Sequence, residues 1–181
     1  MRFVDILLAA TGIIILLPIM VIILVLGFFD TGSPLFRQER IGKNKTPFQL
    51  IKFRSMKVGT ANVATHMVPA TSITPMGRFL RKSKLDELPQ LFNVIIGDMS
   101  LVGPRPGLPA QKKLLEERQK RKVFDCRPGI TGLAQIKNID MSTPKRLARY
   151  DQLMLKNINF CCYFKIILLT ALGKGLGDRV T

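Results

Sequence analysis

The sequence predicts a small, helix-rich α/β (α+β-like) cytoplasmic domain behind one N-terminal membrane helix. An uncharged apolar run, Ile6–Phe29, separates residues 1–30 from the rest of the chain. Residues 31–181 carry 27 Lys and Arg against 10 Asp and Glu, a basic surface that favours polyanionic partners. They alternate strand-like and helix-like segments, and about 150 residues are enough for one hydrophobic core.

The apolar run, 24 residues long, would form a straight helix of about 36 Å, which is long enough to span a bilayer. A signal peptide is the alternative, but the run is too long and no A-x-A cleavage pattern follows it. Pro18 divides the run into parts of 12 and 11 residues, and proline removes a helical hydrogen bond. We therefore predict a kinked, re-entrant helix with Pro18 at the membrane break, and a spanning helix stays the alternative.

The positive-inside rule sets the orientation. One Lys or Arg precedes the apolar run and 27 follow it, so residues 31–181 are expected on the cytoplasmic face of the membrane. Turn and helix signals then predict the elements of this domain. They are a β-hairpin of Leu35–Ile41 and Phe48–Met56, a loop at 59–77, helices at 78–96, 108–125 and 144–157, and an interfacial amphipathic helix at 158–172.

Two adjacent carboxylates, Asp86 and Glu87, follow a stretch with ten Lys or Arg and no acid, Arg40–Leu85. Surrounding cations hold a carboxylate ionised. An ionised Asp serves as a nucleophile toward phosphorus or as a ligand for a hard divalent metal. The alternative is structural, because Ser83 and Asp86 also fit a helix-capping box.

Arg105 lies between two prolines. The prolines stiffen the backbone, so that a planar guanidinium is presented with little entropy left to lose. Such a fork suits a phosphate group. A plain turn with a solvated arginine is the alternative.

Four segments together resemble the bacterial sugar transferases, the monotopic phosphoglycosyl transferases, in their minimal form. They are residues 81–91 (RKSKLDELPQL), 97–106 (GDMSLVGPRP), 52–56 (KFRSM) and 127–132 (RPGITG).

The resemblance implies an activity. Family members transfer a phosphosugar from a UDP-sugar to a polyprenol phosphate such as undecaprenyl phosphate and release UMP, which is the first membrane step of O-antigen, capsule, exopolysaccharide or glycoprotein glycan assembly. It also implies the bacterial inner membrane as the location, and downstream glycosyltransferases as partners that take the product.

The resemblance further assigns roles to residues. Asp86 would be the nucleophile that forms a covalent phosphosugar intermediate and a ligand of Mg²⁺, and Glu87 would assist it. Residues that match phosphate-binding positions are Arg81, Arg105, Lys52 and Arg54. Residues that match nucleotide-sugar positions are Arg127, Lys137, Tyr150 and Asp151.

The chain departs from the family pattern at two places. Leu17-Pro18 replaces the usual Ser-Pro, which removes a hydroxyl at the helix break. Residues 133–140 read LAQIKNID where many members have Trp-Ala-Gln-Val-Asn-Gly-Arg-Asn, so the usual arginine is missing and Lys137 is the candidate to substitute for it.

A function of another class is a non-catalytic, membrane-anchored basic module that binds nucleic acid or anionic lipid. Nucleic-acid binding would favour aromatic side chains interleaved with the cations. The basic stretch offers Phe48, Phe53 and Phe79 without a stacking pattern, so we predict no nucleic-acid partner.

Overall fold

The structure is a computed structural model, which describes residues 1–60 and 69–175. Its mixture of helices and short sheets confirms the predicted helix-rich α/β class. The helices and strands are, in chain order, α1 (Arg2–Thr31), β1 (Leu35–Ile41), β2 (Pro47–Phe53), α2 (Pro75–Ser83), α3 (Gln90–Ile96), β3 (Ser100–Val102), α4 (Lys112–Lys120), β4 (Gly129–Thr131), α5 (Leu133–Ile136), α6 (Pro144–Asn157) and α7 (Phe160–Ala171).

Helix α1 is the candidate membrane element. Its most apolar 18-residue window has a mean hydropathy of 3.1 and is 17% buried, so α1 is long and apolar enough to cross a membrane. The helix continues through Pro18. The predicted re-entrant turn at Pro18 therefore stays a prediction.

One face of α1 lies against the rest of the protein at both ends of the helix. Near the start, the Arg2 guanidinium donates to the Val94 carbonyl oxygen at 2.7 Å. Near the end, the Thr74 hydroxyl donates to the Asp30 carboxylate at 2.7 Å. The buried residues along this face are Asp5, Ala9, Met20, Ile23 and Gly27.

The predicted hairpin is confirmed. Strands β1 and β2 pair antiparallel from Leu35 opposite Phe53 to Ile41 opposite Pro47. The second strand ends three residues before the predicted Met56. The predicted loop at 59–77 is wrong at its end, where α2 begins at Pro75, and its residues 61–68 lie outside the described residues.

The predicted helix at 78–96 is wrong as one element, because α2 and α3 are separate. Lys84 adopts the left-handed conformation (φ 59°) and ends α2, and the short 3₁₀ turn Leu85–Glu87 follows. The capping-box interpretation is wrong as well. Ser83 belongs to α2, and its hydroxyl donates back to the Phe79 carbonyl oxygen at 2.8 Å.

The remaining helices follow the predictions to different degrees. The helix predicted at 108–125 is the shorter α4, followed by a 3₁₀ turn at Val123–Asp125. Helix α6 has the predicted bounds and starts with Pro144, whose missing N–H would have been unpaired there anyway. Helix α7 occupies most of the apolar segment at 158–172.

A two-stranded parallel sheet joins two of the sequence motifs. Strand β3 pairs with β4 so that Ser100 lies opposite Gly129. A Cβ atom at position 129 would lie 2.0 Å from the Gly103 backbone nitrogen. Only glycine permits this approach, which places residues 97–106 beside residues 127–132.

Candidate active site

The acidic turn, which we define as Leu85–Glu87, connects α2 to α3. Leu85 and the following Leu88 pack against a buried cluster formed by β2, α2 and the second half of α1. The members of that cluster are Met20, Ile23, Phe53 and Leu80. Asp86 is only 7% exposed. The candidate nucleophile is thus carried on a tight turn that is packed directly against the apolar helix.

Arg105 and Glu87 form an ion pair. The Arg105 Nη2 atom donates to Glu87 Oε1 at 2.7 Å, and both side chains keep part of their surface in contact with solvent. This contact joins the acidic turn to Pro104–Gly107, which we call the Pro-Arg-Pro loop. The acidic turn and the Pro-Arg-Pro loop therefore form one site.

The backbone of the Pro-Arg-Pro loop is held by four donors. The carbonyl oxygen of residue 104 accepts from the Gly129 amide, and that of residue 107 accepts from the Ile41 amide, each at 3.0 Å. Between them, the carbonyl oxygen of residue 105 accepts from Arg118 Nη1 at 2.8 Å, and that of residue 106 accepts from Arg40 Nη1 at 3.0 Å. All four consecutive carbonyl groups are satisfied, so the loop has little freedom.

Two further cations come just before the acidic turn, at the end of α2. The Arg81 Nε atom donates to the Ser55 hydroxyl at 2.8 Å, whereas Arg81 Nη1 is buried and has no hydrogen-bond partner within the described residues. Lys84 Nζ donates to the Lys174 carbonyl oxygen at 2.9 Å. Burial lowers the pKa of Lys84, Glu87 raises it, and Arg105 lowers it further.

Lys52 and Arg54 lie together at the open end of the hairpin, on either side of Phe53. Both cations are placed over the Phe36 ring, with Lys52 Nζ at 5.6 Å and Arg54 Cζ at 5.4 Å from its centre. Arg54 also donates to the Ser33 carbonyl oxygen at 2.7 Å. Phe53, between them, points into the core, and alternate side chains of a strand point to opposite faces. Their predicted phosphate contacts stay predictions.

The residues predicted to contact the nucleotide sugar have different surroundings. Arg127 Nε donates to the Gly97 carbonyl oxygen at 2.7 Å. Tyr150 is partly buried against the cluster that contains Leu114 and Leu147. Lys137 is exposed after α5. Nucleotide-sugar contact by these residues stays a prediction.

Asp151 has a buried partner. Its Oδ2 atom accepts from Arg118 Nε at 2.9 Å and lies 2.8 Å from Arg118 Nη2, and both side chains are 2% exposed. Burial raises the pKa of Asp151, and Arg118 acts in the opposite direction. The structure gives Asp151 a contact other than the predicted one, and it adds Arg118 and Arg40 to the site. The only sequence signal for Arg118 is a cation on the buried face of α4, four residues after Leu114.

The predicted Mg²⁺ ligand, Asp86, supplies hard oxygen atoms. Among the described residues no group of three His, Cys, Asp or Glu side chains forms a metal cage. Mg²⁺ in phosphoryl-transfer sites commonly takes one or two protein carboxylates together with water and substrate phosphates. The donor set at the acidic turn fits that mode of binding.

Sequence comparisons define the class of the protein. The profile of the family described as bacterial sugar transferase matches residues 1–174. The chain is 39% identical over 165 residues to the "Uncharacterized sugar transferase EpsL" of Bacillus subtilis (strain 168), covering 91% of this chain and 79% of that protein. It is 37% identical over 188 residues to the UDP-glucose:undecaprenyl-phosphate glucose-1-phosphate transferase of Xanthomonas campestris pv. campestris, covering 97% of this chain and 38% of that protein.

A third relative is the UDP-galactose-lipid carrier transferase of Erwinia amylovora, 35% identical over 176 residues, with coverage of 86% of this chain and 36% of that protein. The chain thus spans little more than a third of the length of these two larger relatives. The chain belongs to the bacterial sugar transferase family, which confirms the resemblance and the prediction that the protein is a transferase.

Proposed function

We propose that the protein transfers a phosphosugar from a UDP-sugar to undecaprenyl phosphate or a similar polyprenol phosphate and releases UMP. This reaction would be the first membrane step of glycan assembly, with downstream glycosyltransferases taking the lipid-linked product. The names of the Xanthomonas and Erwinia relatives support the substrate classes. The observation that carries the proposal is the ion pair that places the Arg105 guanidinium at the Asp86-Glu87 turn.

In the proposed reaction, a carboxylate oxygen of Asp86 forms a bond to the β-phosphorus of the UDP-sugar. The bond from that phosphorus to the bridging oxygen breaks, and its electron pair leaves with UMP. An oxygen of the polyprenol phosphate then bonds to the same phosphorus while the bond to Asp86 breaks, which restores the carboxylate. Atoms and charges balance in both steps, and each step is a phosphoryl-type transfer that depends on positioning and charge stabilisation.

The surrounding cations answer the main electrostatic difficulty, the approach of a diphosphate to an anionic side chain. The Arg105 guanidinium contacts the turn, and Arg81, in the last turn of α2 four residues before Leu85, would add positive charge for the diphosphate. Bound Mg²⁺ would neutralise further negative charge on the diphosphate. Glu87 would keep Arg105 oriented until the substrate arrives.

The membrane arrangement suits a lipid substrate. A spanning helix of 30 residues would be about 45 Å long and would carry one end away from the domain. Here the polar contacts of Arg2 and Asp30 attach both ends of α1 to the same domain. This supports an α1 whose two ends lie on one face, which we take to be the cytoplasmic face of the bacterial inner membrane. The acidic turn would then lie where a lipid phosphate is presented.

The test is UMP release from a panel of UDP-sugars by the full-length protein in detergent, with undecaprenyl phosphate and Mg²⁺. We expect release with at least one UDP-sugar, dependence on the lipid phosphate for turnover, and loss of release in EDTA. A non-catalytic basic module predicts no UMP in any sample. UMP release that persists in EDTA would contradict the metal-assisted form of the reaction.

A further inference from the structure

We infer that Arg118 and Asp151 are positioning residues that hold the backbone of the Pro-Arg-Pro loop and thereby set the direction of the Arg105 guanidinium. The inference rests on the proposed function for its consequence in catalysis, and on the contacts of the buried pair for its geometry. Asp151 therefore acts through Arg118 and not by touching the nucleotide sugar.

The nitrogen atoms of the Arg118 guanidinium contact two different acceptors. Its Nε and Nη2 atoms face the Asp151 carboxylate, whereas its Nη1 donates to the carbonyl oxygen of Arg105. Only a planar fork serves both acceptors at once. The side chain thus connects α6, through Asp151, to the one residue of the loop whose own side chain reaches the acidic turn.

The environment of the Arg118–Asp151 pair also separates it from the substrate. Both side chains are buried, so neither carboxylate nor guanidinium is placed to meet a ligand from solvent. The space between Arg118 and the loop prolines has a volume of about 10 Å³, no more than one water molecule requires. A substrate therefore has no room between Arg118 and the loop, and we expect the effect of the pair to pass through the loop.

The direction of the Arg105 guanidinium depends on how the backbone of the loop is held. The prolines fix the backbone angles on either side, so the guanidinium direction follows from how the carbonyl groups are held. Arg40 supports the next carbonyl oxygen in the same way. A displacement of about 1 Å in a positioned group can cost on the order of 10²-fold in rate.

The experiment replaces the pair by apolar side chains, Arg118→Met with Asp151→Leu. Exchange of a buried ion pair for apolar residues of similar size is often neutral or stabilising, so the fold is kept while the donor to the Arg105 carbonyl is removed. We expect kcat for UMP release to fall on the order of 10- to 100-fold, with KM for the UDP-sugar changed less than about threefold. The matched control is Glu117→Gln with Arg121→Gln, an ion pair at the C-terminal end of the same helix in which Arg121 donates to Glu117, and it should keep wild-type kcat.

A double-mutant cycle decides between positioning and general damage. If the pair acts through Arg105, the same double substitution in an Arg105→Ala background should cause no further loss of kcat. Losses that multiply would overturn the inference. Should the Met/Leu variant fail to fold, Arg118→Lys takes its place, because it keeps the charge beside Asp151 but cannot reach both acceptors.

A second readout separates this inference from the proposed function. Hydrogen exchange of the peptide that covers 101–108 should be faster in the Met/Leu variant, or in Arg118→Lys, than in the wild type and the control. If the wild type releases no UMP, the proposed function fails, and exchange alone then tests the loop support. Unchanged exchange would overturn the inference even in an active enzyme.

Discussion

Two arginine–carboxylate pairs are joined where Arg118 of one donates to the backbone carbonyl oxygen of Arg105 of the other, and they differ in exposure. Arg105 and Glu87 retain 19% and 17% of their side-chain surface, whereas Arg118 and Asp151 retain 2% each. A partly exposed pair can exchange its partner for a substrate at small cost, but a fully buried pair cannot. The comparison indicates that the first pair meets the ligand and that the second supports it.

The largest expected effect is at the acidic turn. Asp86→Asn should lower the rate of UMP release by at least about 10³-fold, because an amide is neither a nucleophile nor an anionic metal ligand. The melting temperature should stay close to that of the wild type, since the substitution keeps the shape of the side chain. Retention of more than about a tenth of wild-type turnover would remove Asp86 from the chemistry.

The next effect tests the exposed pair. Arg105→Lys keeps the charge but loses the planar fork, and we expect UMP release to slow on the order of 10²-fold, the range found when one oriented donor is removed from a reaction site. Arg105→Ala should be slower still. Equal turnover of the Lys variant and the wild type would reduce Arg105 to a general positive charge.

For the free energy of unfolding we expect the opposite ranking, in which the buried pair matters more than the exposed pair. Asp151→Ala leaves Arg118 buried without its counter-ion and should cost about 3–5 kcal/mol in the free energy of unfolding. Glu87→Ala leaves Arg105 in contact with water and should cost about 1 kcal/mol or less. Denaturant titration of both variants in detergent measures the difference, and similar losses would remove the distinction between the two pairs.

The smallest expected effect on activity is in α1, where two cysteine substitutions test the membrane topology and should leave activity intact. Phe3 and Phe29 are exposed at opposite ends of the helix, so Phe3→Cys and Phe29→Cys, in a background with Cys126, Cys161 and Cys162 replaced by Ser, form a matched pair. We expect both to resist a membrane-impermeant maleimide in spheroplasts and both to react after lysis. Reaction of Phe3→Cys before lysis would mean that α1 spans the membrane.

The sequence was informative where residue types determine local geometry. The turn between the strands, Pro144 at the start of α6, and the prolines around Arg105 each act over a few residues, and those elements were predicted. The break in the 78–96 segment was missed because Lys84 adopts a left-handed conformation that a non-glycine residue seldom takes. Pro89, directly before α3, is a local helix-breaking signal, but no local pattern places the end of α2 at Lys84.

The residues that support the site could not be predicted from the sequence, for a different reason. Arg118 and Asp151 are 33 residues apart and lie on separate helices, so their contact exists only after the chain has folded. The motif segments contain Asp86, Glu87 and Arg105, but the two side chains that hold loop carbonyl groups, Arg118 and Arg40, lie outside them. Burial and hydrogen-bond geometry identify them, and sequence spacing does not.

The central claim is that Asp86 carries the phosphosugar between the two substrates. The direct measurement is intact-protein mass spectrometry after incubation with Mg²⁺ and the UDP-sugar that supports UMP release, in the absence of polyprenol phosphate. The account predicts a mass increase equal to one phosphosugar in the wild type, located on the peptide that contains Asp86 and absent from Asp86→Asn. Turnover without any such adduct, with UMP appearing only when both substrates are present, would contradict it.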